Sequence, residues 1–287
     1  MNGQLRISGL FRYPVKSCGG ESLSQARLDA LGIEGDRRWM LVDAHNRFMS
    51  QRNWPRMAVI QARWHKDRLI LEYRCDRLVV TTADLTSTVL SCRVWNDLVP
   101  GVLARDAVNR RLAHWLGCNC RLVRLAPHAD RQVDMAYAPV GVYTGFADGF
   151  PVLLLSQSSL DKLNRLSDGC FDARHFRPNI LVSGCLPHAE DQWRRLQAGD
   201  VTVHLVKPCS RCVIPTVDPN NGVFQGPEPL RTLAAYRRYG KKIYFGQNAW
   251  VQWPASLIEQ PRLPVLAVGQ PLDVLERKDA VIEPGKA

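Results

Sequence analysis

The sequence lacks the features that would assign a chain to a membrane or to a secretory route. It has no run of about 18 apolar residues, so we expect no membrane-spanning helix and no membrane partner. Its first residues lack the apolar segment of a secretory signal. Its nine cysteines are irregularly spaced and odd in number, which without a signal favours a reducing compartment. We therefore expect a cytoplasmic protein with free thiols.

Runs of like charge are also absent, although the formal net charge is +11. No stretch of five or more like charges occurs, and no nucleic-acid-binding motif is present. Scattered arginines are typical of a solvated basic surface, and a local pocket for an anionic ligand is the sharper alternative. A nucleic-acid-binding β-barrel is a hypothesis motivated only by the charge, and we do not expect nucleic acid as a partner.

Helical periodicity is scarce in the first third of the sequence, where short alternating segments predict strands instead. Strands are predicted at residues 4–12, 60–64, 69–73, 78–81 and 89–95. Short strands in this number, with almost no helix, are typical of a barrel or a sandwich. Arg37 and Arg38 stand in a further predicted strand, which would point their side chains to opposite faces.

The rest of the sequence mixes strands with a few short helices. Helices are predicted at residues 106–116, stopped by Gly117, after an N-cap at Ser156 or Ser158, and at residues 230–239, capped by Gly240. Strands are predicted at residues 121–125, 151–156, 180–184, 201–206 and 244–251, with a closing pair at 265–275. Residues 127–150 are interpreted as a long polar loop, where binding residues are often found. We therefore predict an α+β fold that is predominantly β.

One pair of cysteines, Cys209 and Cys212, has a spacing typical of metal or redox chemistry. Lys207 and Arg211 flank the pair, and cationic neighbours favour the thiolate. The pair is predicted to lie where one strand ends and the next begins, since Pro215 excludes the helix that a redox Cys-x-x-Cys normally opens. A structural zinc site needs a second such pair, which the sequence lacks. The explanations left are a disulfide, buried inert thiols, or one thiolate on a metal that a cofactor mostly holds.

Two further segments offer groups that bind anions. Lys16 and Ser17 follow a predicted strand in a loop, and could bind a phosphate as a point charge and a hydroxyl donor. The basic and aromatic segment at residues 174–177 precedes a predicted buried strand and is a candidate anion contact.

Four motifs occur together in one order along the chain. They are Tyr13-Pro14-Val15-Lys16-Ser17-Cys18, Gly35-Asp36-Arg37-Arg38-Trp39, Phe176-Arg177-Pro178-Asn179-Ile180, and Cys209-Ser210-Arg211-Cys212 followed by Thr216-Val217-Asp218-Pro219. In this combination the sequence resembles the MOSC-domain proteins, in the branch of the mitochondrial amidoxime-reducing component and its bacterial relatives. The resemblance implies an N-terminal MOSC-type β-barrel at residues 1–122, a β-barrel MOSC domain at 123–275 and a charged tail at 276–287.

The resemblance also implies a molybdenum–molybdopterin cofactor, with Cys212 as the catalytic residue that ligates molybdenum. The residues it implies for cofactor binding are Lys16, Ser17, Arg37, Gly149, Phe150, Arg177, Asn179, Ser210, Arg211, Cys212 and Asn248. Three of these are cations from separate loops that suit the phosphate of the cofactor, and a thiolate is a suitable soft ligand for its metal. Asp191, or Glu190 beside it, is a candidate proton relay, the alternative being surface carboxylates before a turn.

The function implied by the resemblance is the reduction of N-hydroxylated compounds, N-hydroxylamines or amidoximes. The sequence has no Cys-x4-Cys-x2-Cys run, so we expect no iron–sulfur cluster in this chain. Electrons would then come from a separate protein, such as a ferredoxin, a cytochrome b5-like protein or a flavoprotein reductase. Pyridoxal phosphate is not expected. The alternative function is a molybdenum cofactor carrier or a sulfur-transfer protein that uses a persulfide on Cys212 or Cys209.

Overall fold

The computed structural model describes residues 3–167, 169–254 and 263–279, and strands form most of its regular structure. The strands are β1 (Arg6–Arg12), β2 (Glu21–Leu23), β3 (Gln25–Asp29), β4 (Gly32–Ile33), β5 (Trp39–Val42), β6 (Gln61–His65), β7 (Arg68–Tyr73), β8 (Asp76–Val80), β9 (Leu85–Val94), β10 (Asp97–Ala104), β11 (Arg121–Leu125), β12 (Val152–Ser156), β13 (Ile180–Ser183), β14 (Trp193–Ala198), β15 (Val201–Arg211), β16 (Arg238–Tyr239), β17 (Lys242–Gln252), β18 (Val265–Ala267) and β19 (Asp273–Arg277). The α-helices are α1 (Asp106–Leu116), α2 (Gln157–Leu166), α3 (Ala173–Phe176) and α4 (Leu230–Arg237). Short 3₁₀ turns lie at Pro55–Val59, Thr82–Asp84, Ala189–Gln192 and Ile214–Thr216.

The largest sheet has the order β19-β14-β15-β17-β12-β13-β1-β2, and β16 pairs with β17 beside it. The sheet is mixed, because β12 and β13 run parallel whereas β15 and β17 run antiparallel. Strand β1, from the start of the chain, pairs with β13 through Leu10 and Ile180. This pairing places the loop after β1 beside segments that follow it by more than a hundred residues.

Three smaller sheets complete the described fold, in the orders β5-β11-β10-β9, β18-β3-β4 and β6-β7-β8. The predicted α+β, predominantly β class is confirmed. The two predicted barrels differ from what is observed, because the described strands form open sheets that run from one edge strand to another, of which the largest is mixed. Alternation in a sequence specifies which residues form strands and which face is buried, but not whether the first and last strands pair with each other.

Apolar side chains from the strands and from α1 form the core of the N-terminal half. Helix α1 buries Val108, Leu112 and Trp115 on one face, and it ends at Gly117, whose φ of 69° is left-handed. Trp39 from β5 belongs to the same buried cluster. The helix and the strand predicted at residues 106–116 and 121–125 are therefore confirmed.

Other sequence predictions hold for the second half, and one ambiguity is resolved. Ser156 is the N-cap of α2, where its side chain accepts a hydrogen bond from the backbone N–H of Ser159. Residues 127–150 contain no named strand or helix, as expected of the long loop. None of the helices in the described ranges is both long and apolar enough to cross a membrane.

Several local predictions were wrong, because elements begin or end at other residues than the pattern suggested. Arg37 and Arg38 lie in the turn before β5, and Arg37 has a φ of 48°. Gly240 lies in the hairpin between β16 and β17 rather than at the end of α4. Glu276 and Arg277 belong to β19, whereas residues 280–287 of the predicted tail lie outside the described residues. The domain boundaries at 122 and 275 stay predictions.

Strand β15 is also longer than predicted, because it continues through Pro208 and Cys209 to Arg211. Its pairing with β17 shifts register twice, between Leu205 and Lys207 and again after Pro208. Such bulges accommodate a proline and change the direction of the side chains that follow. Cys209 therefore lies near the end of one long strand and Cys212 directly follows that strand, as predicted for a strand end, but the next element is the 3₁₀ turn at Ile214–Thr216 and not a strand.

Candidate cofactor site

A cavity of about 620 Å³ lies between the end of β15 and loops from both halves of the chain. All the residues predicted to bind the cofactor line it: Lys16, Ser17, Arg37, Gly149, Phe150, Arg177, Asn179, Ser210, Arg211, Cys212 and Asn248. Further cations on the lining are Arg52, Lys207, Lys241 and Lys242, and Asp148 is the carboxylate there. We call this space the cationic cavity.

Lys16 is a buried cation held by the loop that carries Phe146 and Asp148. Its Nζ donates to the carbonyl oxygen of Phe146 at 2.8 Å and to Oδ1 of Asp148 at 2.5 Å. Burial lowers the pKa of Lys16, while Asp148 acts in the opposite direction. Its neighbour Ser17 has a φ of 67°, so the chain turns sharply at this point. The turn brings both predicted phosphate contacts to the cavity wall.

Arg37 is held by three polar partners from two segments of the chain. Its Nη1 donates to Oδ2 of Asp36 at 2.6 Å and to Oδ1 of Asn179 at 2.9 Å. Its Nη2 donates to the carbonyl oxygen of Arg177 at 3.1 Å. Burial lowers the pKa of Arg37, but the neighbouring carboxylate of Asp36 raises it, and the pKa lies above its ordinary value. Arg37 thus joins the turn before β5 to the segment before β13.

Arg177 is a second guanidinium nearby, and it differs from Arg37 in having no carboxylate beside it in the described ion pairs. It ends α3 with a φ of 56°, and its Nη1 donates to the carbonyl oxygen of Cys18 at 2.5 Å. The guanidinium carbon lies 4.2 Å from the centre of the Tyr13 ring. Its Nη2 is buried and has no hydrogen-bond partner within the described part of the chain. Burial, and then the charge of Arg37, lower the pKa of Arg177 to about 10.

The unpaired N–H group of Arg177 indicates whether the site suits an anionic cofactor. A buried guanidinium with an unpaired N–H group is unfavourable unless an acceptor satisfies it. A phosphate supplies several charged acceptor oxygens, and arginine binds such groups in a fork. The residues therefore fit an anionic group bound near Lys16, Arg37 and Arg177.

Cys212 lies at the end of β15 and lines the same cavity. Its Sγ accepts a hydrogen bond from Nη2 of Arg52, with 3.2 Å between the two atoms. Cys209 lines the cavity too, and burial raises the pKa of its thiol. Both cysteines are free, which confirms the expectation of two thiols in place of a disulfide.

The neighbours of Cys212 have structural contacts of their own. The guanidinium of Arg211 donates to the carbonyl oxygen of Phe245 at 2.8 Å and to that of Phe176 at 3.0 Å. Asn248 lies on β17, with its Nδ2 at 3.4 Å from the carbonyl oxygens of Lys207 and Pro208. These contacts hold the bulged end of β15 against its neighbours, so they fix the position of Cys212.

No three His, Cys, Asp or Glu side chains of the described residues come together in a way that could hold a metal ion. A protein-only metal centre is therefore not formed by those residues. One thiolate in a cation-lined cavity instead suits a metal that is held mainly by an anionic cofactor.

Asp191 and Glu190 do not lie in the cationic cavity. Oδ2 of Asp191 is 2.7 Å from Nη1 of Arg237, and Oδ1 accepts a hydrogen bond from Nε2 of Gln247 at 2.7 Å. Gln247 and Asn248 are consecutive on β17, so their side chains point to opposite faces. Because Asn248 lines the cavity, Asp191 lies on the other face of the strand. The structure therefore does not bring this predicted catalytic residue to the other site residues.

The alternative interpretation of these carboxylates as surface groups was wrong. Glu190 is 1% exposed and Asp191 is 4% exposed. Glu190 accepts hydrogen bonds from the hydroxyls of Ser156 and Ser159, each at 2.8 Å. Burial, and then the neighbouring Asp191, raise the pKa of Glu190. We call Glu190, Asp191, Arg237, Gln247 and the two serines the buried carboxylate network.

Several cavity residues were missed from the sequence. Arg52 and Asp148 line the cavity, and Asp148 belongs to the long polar loop at residues 127–150. Trp95 lies in the turn between β9 and β10, and its Nε1 donates to Oδ1 of Asp148 at 3.2 Å. No local motif marks these residues, because their roles depend on contacts with distant segments.

The architecture and the site define a class, the MOSC-domain proteins. The chain matches the MOSC N-terminal beta barrel domain over residues 4–119 and the MOSC domain over residues 143–273. It is 34% identical over 274 residues to mitochondrial amidoxime-reducing component 1 of Mus musculus, covering 88% of this chain and 79% of that protein. It is 34% identical to the Homo sapiens protein of the same name, covering 88% of this chain and 80% of the relative. The chain therefore belongs to the MOSC-domain family, in the branch of the amidoxime-reducing components.

A second named group within this branch is also similar. The mitochondrial amidoxime reducing component 2 of Bos taurus is 32% identical over 241 residues, which cover 80% of this chain and 72% of the relative.

Proposed function

We propose that the protein is a molybdenum cofactor-dependent reductase of N-hydroxylated compounds. The observation that carries the proposal is the position of the Cys212 sulfur in the cationic cavity. The described lining combines this thiol with eight lysine or arginine side chains and one aspartate. Membership of a family whose relatives are named amidoxime-reducing components supports the substrate class.

Specific residues of the chain would hold the cofactor. Lys16, Arg37 and Arg177 are the cations that would bind its phosphate, and the unpaired Nη2 of Arg177 would gain an acceptor there. Cys212 would supply the single protein ligand to molybdenum, because thiolate is a soft ligand that such metals accept. Phe150 and Leu153 contribute apolar surface to the same lining.

The cofactor, when bound, supplies two electrons that, with two protons, convert an N–OH group to N–H and release water. The chain's own contribution is to orient the substrate and to supply protons. The lysines of the cavity lining, Lys16 among them, and His175 are groups that can carry a proton there, besides the thiols, whereas Asp148 is the carboxylate that pairs with Lys16. Desolvation raises the pKa of Asp148, but the positive charge of Lys16 lowers it, and the pKa lies well below its ordinary value. A relay through Asp191 has no support from its position across the strand.

We further propose that electrons arrive from a separate redox protein, whether a ferredoxin, a cytochrome b5-like protein or a flavoprotein reductase. Lys241 and Lys242 are exposed and line the cavity. Such cations favour encounter with an acidic donor surface, with a rate that falls as salt rises. A cytoplasmic location is part of the proposal and is tested by cell fractionation.

A second function, cofactor carriage or sulfur transfer, is favoured by one observation. Two free thiols, Cys209 and Cys212, line one cavity, and either could carry a persulfide. The two functions differ in composition, because a persulfide carrier would purify without stoichiometric molybdenum and pterin.

The experiment that tests the proposal uses full-length protein from a host that makes the cofactor. The protein is supplied with an aryl amidoxime and with reduced methyl viologen as the electron source. We expect oxidation of the dye that depends on the amidoxime, with formation of the amidine. Molybdenum-loaded protein that leaves both amidoxime and N-hydroxylamine unchanged would contradict the proposal, and persulfide on a metal-free protein would favour the second function.

A further inference from the structure

Arg52 is the side chain that contacts the Cys212 sulfur from the opposite wall of the cavity. Its Nη2 lies 3.2 Å from Sγ, which is a short donor distance for a sulfur acceptor. Its guanidinium carbon lies 4.7 Å from the centre of the Trp95 ring. The guanidinium therefore has two contacts, one with the sulfur and one with an aromatic face.

The loop that carries Arg52 is anchored to other parts of the site. Nε2 of Gln51 donates to the carbonyl oxygen of Ser17 at 2.7 Å. The backbone N–H of Trp54 donates to the carbonyl oxygen of Ser50 at 2.9 Å. The first bond ties the loop at residues 50–54 to the Lys16–Ser17 turn, and the second closes the loop on itself, so both restrict the position of Arg52.

Trp95 links Arg52 to the Lys16–Asp148 pair. Its Nε1 donates to Asp148, and Asp148 pairs with Lys16 at 2.5 Å. A sequence of contacts thus runs from Cys212 through Arg52, Trp95 and Asp148 to Lys16. Lys16, Arg52 and Trp95 belong to the region that matches the MOSC N-terminal domain, and Asp148 and Cys212 belong to the region that matches the MOSC domain. The hydrogen bond from Arg52 to the Cys212 sulfur therefore joins the two matched regions.

We propose that Arg52, fixed by its stack on Trp95, is a positioning residue that orients the Cys212 sulfur and raises the reduction potential of the metal it ligates. This inference rests on the proposed function. Partners beyond the first ligands orient those ligands and tune a metal, and hydrogen bonds to ligand sulfur are among the factors that set a potential. A hydrogen bond and a permanent positive charge draw electron density from a thiolate, which favours the reduced metal.

Lysine does not reproduce the role of Arg52. The guanidinium is planar, so one face can stack on Trp95 while an edge N–H points at the sulfur. An ammonium group keeps the charge but offers neither the stack nor the fixed direction of the donor. Arg52→Lys should therefore keep part of the electrostatic effect and lose the orientation.

The test measures two properties of purified, cofactor-loaded protein that do not depend on turnover. These are the molybdenum content per chain and the midpoint potential of the metal, followed by its paramagnetic resonance signal. The variants are Arg52→Met, Arg52→Lys and Trp95→Leu. The matched control is Arg56→Met, because Arg56 is an exposed arginine four positions along the chain and does not line the cavity.

We expect Arg52→Met to shift the potential to more negative values and to lower metal affinity by about 10–100-fold, the usual effect of removing such a partner. Arg52→Lys and Trp95→Leu should give smaller shifts in the same direction, and Arg56→Met none. If Arg52→Met has no cooperative melting transition, the other two cavity variants decide the matter. Potentials and molybdenum contents equal to those of the control would overturn the inference and leave the proposed function intact. Wild-type protein without molybdenum would overturn both.

Discussion

The cationic cavity and the buried carboxylate network lie on opposite faces of β17, and they differ in how their charges are paired. In the network, Asp191 has Arg237 and Gln247 as partners, and Glu190 accepts hydrogen bonds from two serine hydroxyls. In the cavity, cations outnumber the carboxylate, and Arg177 has no carboxylate partner among the described ion pairs. Among the described residues, Nη2 lacks a hydrogen-bond partner in Arg177 and also in Arg237, so the two sites differ in the counter-charge. Burial alone therefore does not distinguish a functional charge from a structural one.

The comparison teaches that a missing counter-charge is the more informative signal. A buried cation that is paired with a carboxylate, as Arg237 is with Asp191, contributes to a defined local structure. A surplus of one sign around an open cavity requires a ligand of the opposite sign to offset the cost of desolvation. Substitutions in the cavity should therefore change cofactor binding, whereas substitutions in the network should change stability.

Replacement of the proposed metal ligand should have the largest effect on function. Cys212→Ala should reduce amidoxime reduction below detection, because the site would lose the proposed thiolate ligand of the metal. Turnover with reduced methyl viologen is the measurement, and Cys75→Ala, an exposed cysteine outside the cavity, is the control. Retained turnover in cofactor-loaded Cys212→Ala protein would refute the assignment.

Removal of the network's charge should affect stability and not cofactor content. Asp191→Asn should destabilise the fold by about 3–5 kcal/mol, because Arg237 would remain buried without its counter-charge. Denaturant unfolding measures this change, and molybdenum analysis of the folded protein should give the wild-type value. Wild-type stability together with lost turnover would instead support the proton relay.

Removal of Arg177, a cavity cation without a carboxylate partner in the described ion pairs, should affect cofactor content and not stability. Arg177→Met should weaken cofactor retention by about 10–100-fold, since a hydrogen bond to a charged group contributes about 1.5–3 kcal/mol. Pterin content after dialysis measures the loss. Arg174→Met tests the adjacent exposed arginine, which pairs with Asp172, and should retain the pterin. Equal retention in both variants would remove Arg177 from the site.

The smallest effect concerns pH and the edge of the network. Burial, and then the charges of Arg237 and Lys162, lower the pKa of His188 to about 3. Its folded pKa lies below its ordinary value of 6.5, so the unfolded chain binds more protons between the two values. The contribution to stability is thus present above pH 6.5 and is lost as the pH falls.

The measurement compares unfolding free energies at pH 7.5 and pH 5.5. Between these two pH values, the unfolding free energy of the wild-type protein should fall by about 1.4 kcal/mol more than that of His188→Gln. This is the free energy that corresponds to one pH unit, the distance from the ordinary pKa of 6.5 to pH 5.5. An identical pH dependence in the two proteins would show that His188 titrates normally.

The sequence predicted the elements better than it predicted their contacts. Alternation identified most strands, and the apolar face with Gly117 identified α1, because these signals are local. The bulges that carry β15 past Pro208 were not predictable, since they depend on the pairing partner β17.

The site shows the same division. The motifs located Lys16, Arg37, Arg177 and Cys212, and the fold brings all of them to one cavity. Arg52 was missed because its partner is 160 positions away in the chain. Asp191 was misplaced because it contacts Gln247, whose side chain points to the face of β17 opposite to Asn248 and the cavity.

The account depends on an anionic molybdenum cofactor in the cationic cavity, and the most direct test is composition. Full-length protein from a host that makes the cofactor should contain one molybdenum and one pterin per chain after extensive dialysis. Protein that is folded, monodisperse and free of both would contradict the account.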